Sequence, residues 1–138
     1  MTEPKQAKRY ARTRAAHAAE TAEDYVEAIA EMIESRGECR VTDLREHFGV
    51  SHVTVVKILN RLRNEGLVQT ETRTPIELTK TGSKLAEQSR ERHLIVFEFL
   101  RAIGVSANVA AIDAEGIEHH VSDETLRRFQ QIARNKRI

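Results

Sequence analysis

SHVTVVKILNRLRNEG, residues 51–66, is the stretch on which the fold turns. Val55, Ile58, Leu59 and Leu62 recur at i, i+3, i+4 and i+7, which lays one apolar stripe along a helix. Ser51 stands where an N-cap belongs, and Gly66 where a helix closes. Stepping about 100° per residue from Val55, the opposite face is Val53, Lys57, Asn60, Arg61 and Asn64. Amides and cations around one outward apolar side chain suit a helix lying in a DNA major groove, where they meet base edges, phosphates and a thymine methyl. The plainer alternative is a solvated helix face in a protein-binding module.

Upstream, Thr42 reads as the N-cap of a short helix in which Leu44 and Phe48 share a face, and Gly49 and Val50 form a tight turn into Ser51. Before it, Val26, Ile29, Ala30 and Ile33 give residues 23–36 the same helical period, ended by Gly37. Downstream, LVQTETRTPIELT, residues 67–79, turns to Thr, Val and Ile around Pro75, the composition of a two-stranded ribbon with a short second strand. Helix, helix, turn, helix, ribbon is the winged helix-turn-helix order. A long helix over residues 79–100 follows, then a turn at 104–107 and helices over 113–120 and 122–134. The expected fold class is mainly α. It comprises a flexible or marginally helical basic arm over 1–20, a winged helix-turn-helix domain over 21–79, and an all-helical unit over 80–138 able to pair with its own copy.

A length of 138 residues fits one domain or two very small ones. With 31% charged and 40% hydrophobic residues the chain can bury a modest core, and 4% aromatic with no Trp argues against an aromatic-lined cleft. No apolar run nears the ~20 residues of a membrane span. Nothing before residue 20 has the apolar stretch of a secretion signal, and the single Cys39 excludes a disulfide framework. The cytoplasm is therefore the expected compartment. The formal net charge of +1 hides a partition: +3 over residues 1–20, +5 over 127–138, and −7 between them. On the nucleic-acid reading, Ser51, His52 and Val53 come nearest the bases. Thr54, Lys57 and Arg61, the basic arm, and Arg73 in the ribbon fall mainly on phosphates.

Acidic and imidazole groups gather in three places. Asp24 and Glu27 stand three residues apart on one helix face, although with Glu31 and Glu34 they also form an ordinary solvated stripe. His93 shares a sector with Leu85, Ser89, Val96 and Leu100 and so points inward, where an imidazole is more often a satisfied core group than a ligand. In DAEGIEHH, residues 113–120, Glu115, Glu118 and His119 occupy i, i+3 and i+4, with Asp113 as N-cap. Two carboxylates and an imidazole crowded on one face repel and desolvate unless something neutralises them. A solvated surface is the alternative.

Together, EDYVEAIAEMIE (23–34), SHVTVVKILNRL (51–62), RERHLIVFEFL (90–100) and DAEGIEHHVSDETL (113–126) resemble the diphtheria toxin repressor family, in its manganese transport regulator branch. The resemblance covers about residues 23–130. It implies metal-activated, homodimeric winged-helix repressors that bind palindromic operators and, in this branch, repress manganese uptake genes. It also implies metal ligands at Asp24, Glu27, His93, Glu115, Glu118 and His119, and a helical dimerisation and metal-binding domain in the second half. The iron-responsive branch has a Cys where this sequence has Glu115, which favours manganese. Four carboxylates and two imidazoles without a thiolate are a hard, oxygen-rich set suited to Mn²⁺. Their charge balances two such ions per subunit, with Fe²⁺ as the other expected metal.

Ile95, Phe99, Ile103 and Val109 are candidates for the dimer contact or for the chain's own core. In two respects the chain departs from the family pattern. Arg73, Thr74 and Pro75 replace a Gly-containing wing turn, and the sequence stops at Ile138 without the further C-terminal domain of longer members. A competing expectation is a metal-independent winged-helix repressor answering to a small organic ligand. A two-metal hydrolase is chemically conceivable, but the sequence has neither an HExxH motif nor a nucleophile constellation. The expectation is a regulator rather than an enzyme, with double-stranded DNA and its own copy as partners and no membrane.

Overall fold

A computed structural model of the chain describes residues 3–71 and 73–136. Eight elements follow in order: α1 (Glu3–Arg36), α2 (Val41–Phe48), α3 (His52–Asn64), β1 (Val68–Gln69), β2 (Glu77–Leu78), α4 (Lys80–Ala102), α5 (Ala107–Ile117) and α6 (Asp123–Lys136). The chain is mainly α, with a winged helix-turn-helix order followed by helices alone. It divides into two compact units between Ala86 and Glu87, inside α4. Met1 and Thr2 of the arm, Thr72 of the ribbon, and Arg137 and Ile138 lie outside the described residues. No helix among the described residues is long and apolar enough to cross a membrane.

In the first unit the apolar stripe of α1 meets Leu44 of α2, Val55, Leu59 and Leu62 of α3, and Val68 and Ile76 of the ribbon. Each such side chain, fully buried, contributes roughly 1.5–3 kcal/mol of transfer free energy. Tyr25 stacks on Phe48 with ring centroids 4.3 Å apart. From Glu3 onward the arm, expected to be flexible or marginally helical, is the opening of α1. Its alanines have the highest helix propensity of any residue type. The helix then runs on to Gly37, whose φ of +88° ends it.

Three local chemistries set the turns that follow. The cap of α2 is Arg40 rather than Thr42: Arg40 has extended backbone and its N–H donates to Asp43 Oδ2 at 2.8 Å. Asp43 supplies the acceptor from inside the first turn, so a hydroxyl at residue 42 is not needed. Gly49 takes φ +65° and donates to the Arg45 carbonyl at 2.8 Å, closing α2. Ser51 Oγ accepts the Thr54 N–H at 3.2 Å and starts α3 as expected. The ribbon pairs antiparallel, Val68 with Leu78 and Gln69 with Glu77. Where a Gly-containing turn is missing, Arg73 itself adopts φ +68°, a left-handed conformation costing about 1–2 kcal/mol for a residue with a Cβ.

In the second unit Val96 and Leu100 of α4 pack with Ala110 and Ala114 of α5 and Leu126 of α6. Phe99 and Phe129 stack at 3.9 Å. Ser106 caps α5, which therefore begins at Ala107, and Asp113 lies in mid-helix rather than at its N-cap. The helix starts early because Ser106 has the extended backbone of a cap and the alanines after it propagate the turn. It also stops early, at Ile117, leaving Glu118 as C-cap and His119 and His120 in the turn to α6. Ser122 Oγ accepts the Thr125 N–H at 3.2 Å at the start of α6. Ile95 and Phe99 pack against this unit's own core, whereas Ile103 and Val109 stay exposed, as do Leu94 and Ile112.

Candidate metal centre and nucleic-acid face

The second unit brings together ligands that the sequence spreads over 27 positions, from His93 to His119. His93 comes from α4, Glu115 from the last turn of α5, and Glu118 and His119 from its C-terminal end. His93 Nδ1 lies 3.1 Å from Glu118 Oε2 and 3.6 Å from Glu115 Oε1. His119 Nε2 lies 3.4 Å from the other Glu118 oxygen. The Glu118 side chain is 1% exposed and that of His119 2%, against 64% for Glu115. A carboxylate taken out of water so completely costs several kcal/mol unless charge and hydrogen bonds answer it.

Donor atoms of His93, Glu115 and Glu118 all lie within 4.8 Å of one another. Hard divalent ions bind oxygen at about 2.0–2.6 Å, so donors around one ion stand up to about twice that apart. Residues and ion fit without main-chain rearrangement. An imidazole proton can answer one carboxylate oxygen, whereas a cation answers all three donors at once. Asp24 and Glu27 belong to the first unit, half-buried on α1 one turn apart. His120 is exposed and His52 lies on α3.

On the other unit, Ser51, His52, Val53 and Lys57 are exposed and Thr54 is half-buried, so the N-terminal half of α3 presents the expected face. Val53 is 73% exposed. Arg61 departs from expectation. Its Nη2 donates to the Ala18 carbonyl of α1 at 3.1 Å and its Nε lies 3.7 Å from Glu65, so the guanidinium is committed to the protein. Arg63 lines an open cleft between α3 and the ribbon together with Arg40, His52, Asn60, Thr70, Glu71 and Arg73. Arg40 also donates to the Arg73 carbonyl at 3.4 Å, fastening that wall of the cleft. A helical wheel puts Arg63 beside the apolar stripe, and only the ribbon gives it a facing wall. Nothing in the sequence alone marks Arg40 or Arg63 for this surface. Arg92, beside His93, was likewise unmarked.

Two family models match. The N-terminal DNA-binding domain of the iron-dependent repressors covers residues 17–74, and their metal-binding and dimerisation domain covers 79–136. The chain is 47% identical over 121 residues to the transcriptional regulator MntR of Escherichia coli O6:H1, covering 88% of this chain and 78% of that protein. It is 48% identical over 120 residues to the regulator of the same name from Salmonella typhimurium, covering 87% and 76%. Among solved structures, a manganese-dependent transcriptional repressor in complex with manganese superposes with a TM-score of 0.73 at 29% identity, over 81% of this chain and 52% of that one. The chain spans about half the length of that structure and of the solved manganese regulator SloR.

Proposed function

Because the chain belongs to the iron-dependent repressor family, whose matched relatives are transcriptional regulators and not enzymes, we propose that it represses manganese uptake genes in the cytoplasm, as a homodimer on palindromic operators. That membership makes it a metal-responsive DNA-binding repressor and sets aside the metal-independent alternative. The observation that carries the reading is the buried Glu118 carboxylate between His93 and His119, with Glu115 at its edge. These four residues, with Asp24 and Glu27 of α1, are the proposed ligands. Mn²⁺ is the proposed ion, two per subunit, with Fe²⁺ as its competitor.

When bound, the ion supplies positive charge to the Glu115 and Glu118 carboxylates, which otherwise repel. Asp24 and Glu27 stand on the helix whose apolar stripe packs against Val55 and Leu59 of α3, so a constraint on α1 reaches the recognition helix through the core. Two such helices in a dimer then match major grooves about 34 Å apart on one face of the duplex. Ser51, His52 and Val53 meet the bases. Thr54, Lys57, Arg63 and Arg73, with the basic start of α1, meet the phosphates. Ile103 and Val109, exposed like Leu94 and Ile112, are the proposed dimer contact.

The test is binding to promoter DNA from manganese uptake genes, with and without Mn²⁺, by wild type and Glu115→Ala. The reading expects metal-strengthened binding in the wild type and a weaker response in the variant; equal binding in all four conditions sinks it.

A further inference from the structure

Arg92 has no part in the proposed ligand set, yet its guanidinium reaches three groups of the second unit. It sits on α4 one residue before His93, 26% exposed. Its Nε donates to the Glu118 carbonyl at 3.0 Å and its Nη2 to the Val121 carbonyl at 2.6 Å. Its Nη1 lies 3.4 Å from Asp123 Oδ1 at the start of α6. The two carbonyls bracket His119 and His120 in the turn between α5 and α6. Carbonyls at a helix C-terminus have no donor of their own. A planar guanidinium reaches two of them at a fixed spacing, which an ammonium cannot do.

We propose that Arg92 is a positioning residue for the metal centre, fastening the main chain of Glu118 and the turn carrying His119 to α4 beside His93. The proposal rests on the metal reading given above. The same two residues, Glu118 and His119, are held at one end by this fork and meet His93 and each other through their side chains, at 3.1 and 3.4 Å. Ligands from two elements are thereby set at binding distance by a group that touches no ion. Without the fork, the α5–α6 turn is free to shift against α4, and a ligand set loosened by about 1 Å binds less well.

Charge and positioning have opposite signs at this residue. A guanidinium near a cation site repels the cation, so if charge alone mattered, neutralising Arg92 would tighten metal binding and Arg92→Lys would change nothing. If Arg92 acts through position, both Arg92→Lys and Arg92→Met weaken it.

Mn²⁺ binding to the full chain is measured from the electron paramagnetic resonance signal of the free aqueous ion, at a temperature where circular dichroism shows each variant fully folded. Arg92→Lys and Arg92→Met are expected to bind about 10–100-fold more weakly than wild type, the usual effect of losing an outer partner of a metal ligand. Asp123→Asn, which removes only a surface ion pair, is expected to stay within about twofold. Unchanged affinity in Arg92→Lys, or tighter binding in Arg92→Met, overturns the positioning role while the metal site stands. A wild type that binds no Mn²⁺ overturns the metal reading and this proposal with it.

Discussion

Gly82 lies in the first turn of α4, where Gly→Ala in a helix ordinarily stabilises by up to about 1 kcal/mol. Here the sign should reverse. A Cβ built on Gly82 overlaps the carbonyl oxygen of Leu67 outright and stands 3.0 Å from its carbonyl carbon and 3.4 Å from its Cα. Carbon atoms pack best at about 3.5–4.0 Å, so the backbone of β1 or α4 must move by more than ~0.5 Å, and further to clear the oxygen. That oxygen is not free to move: it accepts the Thr79 N–H at 3.1 Å and the Thr79 hydroxyl at 3.2 Å. The same hydroxyl accepts the Gly82 N–H at 3.0 Å as the cap of α4. Overpacking costs about 1–3 kcal/mol, and a disturbed cap adds about 1 kcal/mol. Less the propensity gain, Gly82→Ala should lose roughly 1–3 kcal/mol. Gly116, in α5, meets nothing within 4 Å, so Gly116→Ala should gain about 0.5–1 kcal/mol. Urea unfolding followed by circular dichroism gives both values with one protocol. A Gly82→Ala chain as stable as wild type would refute the close approach of β1 to α4.

Other consequences can be measured directly. Saturating Mn²⁺ at about 100 times its Kd should stabilise the wild type by about 2.7 kcal/mol per ion bound, with most of one ion's share lost in Glu118→Gln; equal thermal shifts in the two would remove Glu118 from the ligand set. Arg63→Ala, which removes one phosphate contact from each subunit of the dimer, should flatten the salt dependence of operator binding by about two units of log–log slope, while Arg61→Ala leaves the slope alone and lowers stability instead, and the reverse result would restore Arg61 to the DNA. Burial, and then the Asp43 charge, push the Cys39 thiol up to about 12, with Arg36 opposing. The folded state thus holds this proton more tightly, so its stabilising contribution is complete below the ordinary thiol pKa of about 8.5 and is lost as pH climbs toward 12. Urea midpoints should accordingly fall more steeply from pH 8 to 10.5 in wild type than in Cys39→Ala, a comparison that cancels other groups titrating there; parallel curves would contradict it.

The helices were legible because their cause is local. An apolar residue every third or fourth position makes a stripe whatever the rest of the chain does, so the core faces of α1 and α3 and the cap Ser51 could be placed from neighbours alone. Glycines at 37, 49 and 66 likewise mark their turns through φ values of +88°, +65° and +76°. Misplacements came where two local signals compete. Thr42 and Asp43 both offer a side-chain oxygen near the start of α2, and the structure uses Asp43. Ser106 and Asp113 both resemble caps, and the earlier one won because the alanines after it extend the turn. In the arm, whose sequence offers little to bury, alanine propensity carries the helix without burial.

What the sequence determined by itself was therefore the element order, the apolar faces and the types of donor available at Glu115, Glu118 and His119. Only tertiary structure decided which groups meet. It turned Arg61 onto the Ala18 carbonyl and gave Arg63 a facing wall in the ribbon. Glu118 was likewise buried to 1% exposure against His93, 25 positions earlier in the chain, and the main chain of Glu118 was tied to Arg92. Periodicity reports the direction a side chain leaves its own helix. It carries no record of what another element places in front of it, and at this centre that second element supplies the charge, the distance and the dryness.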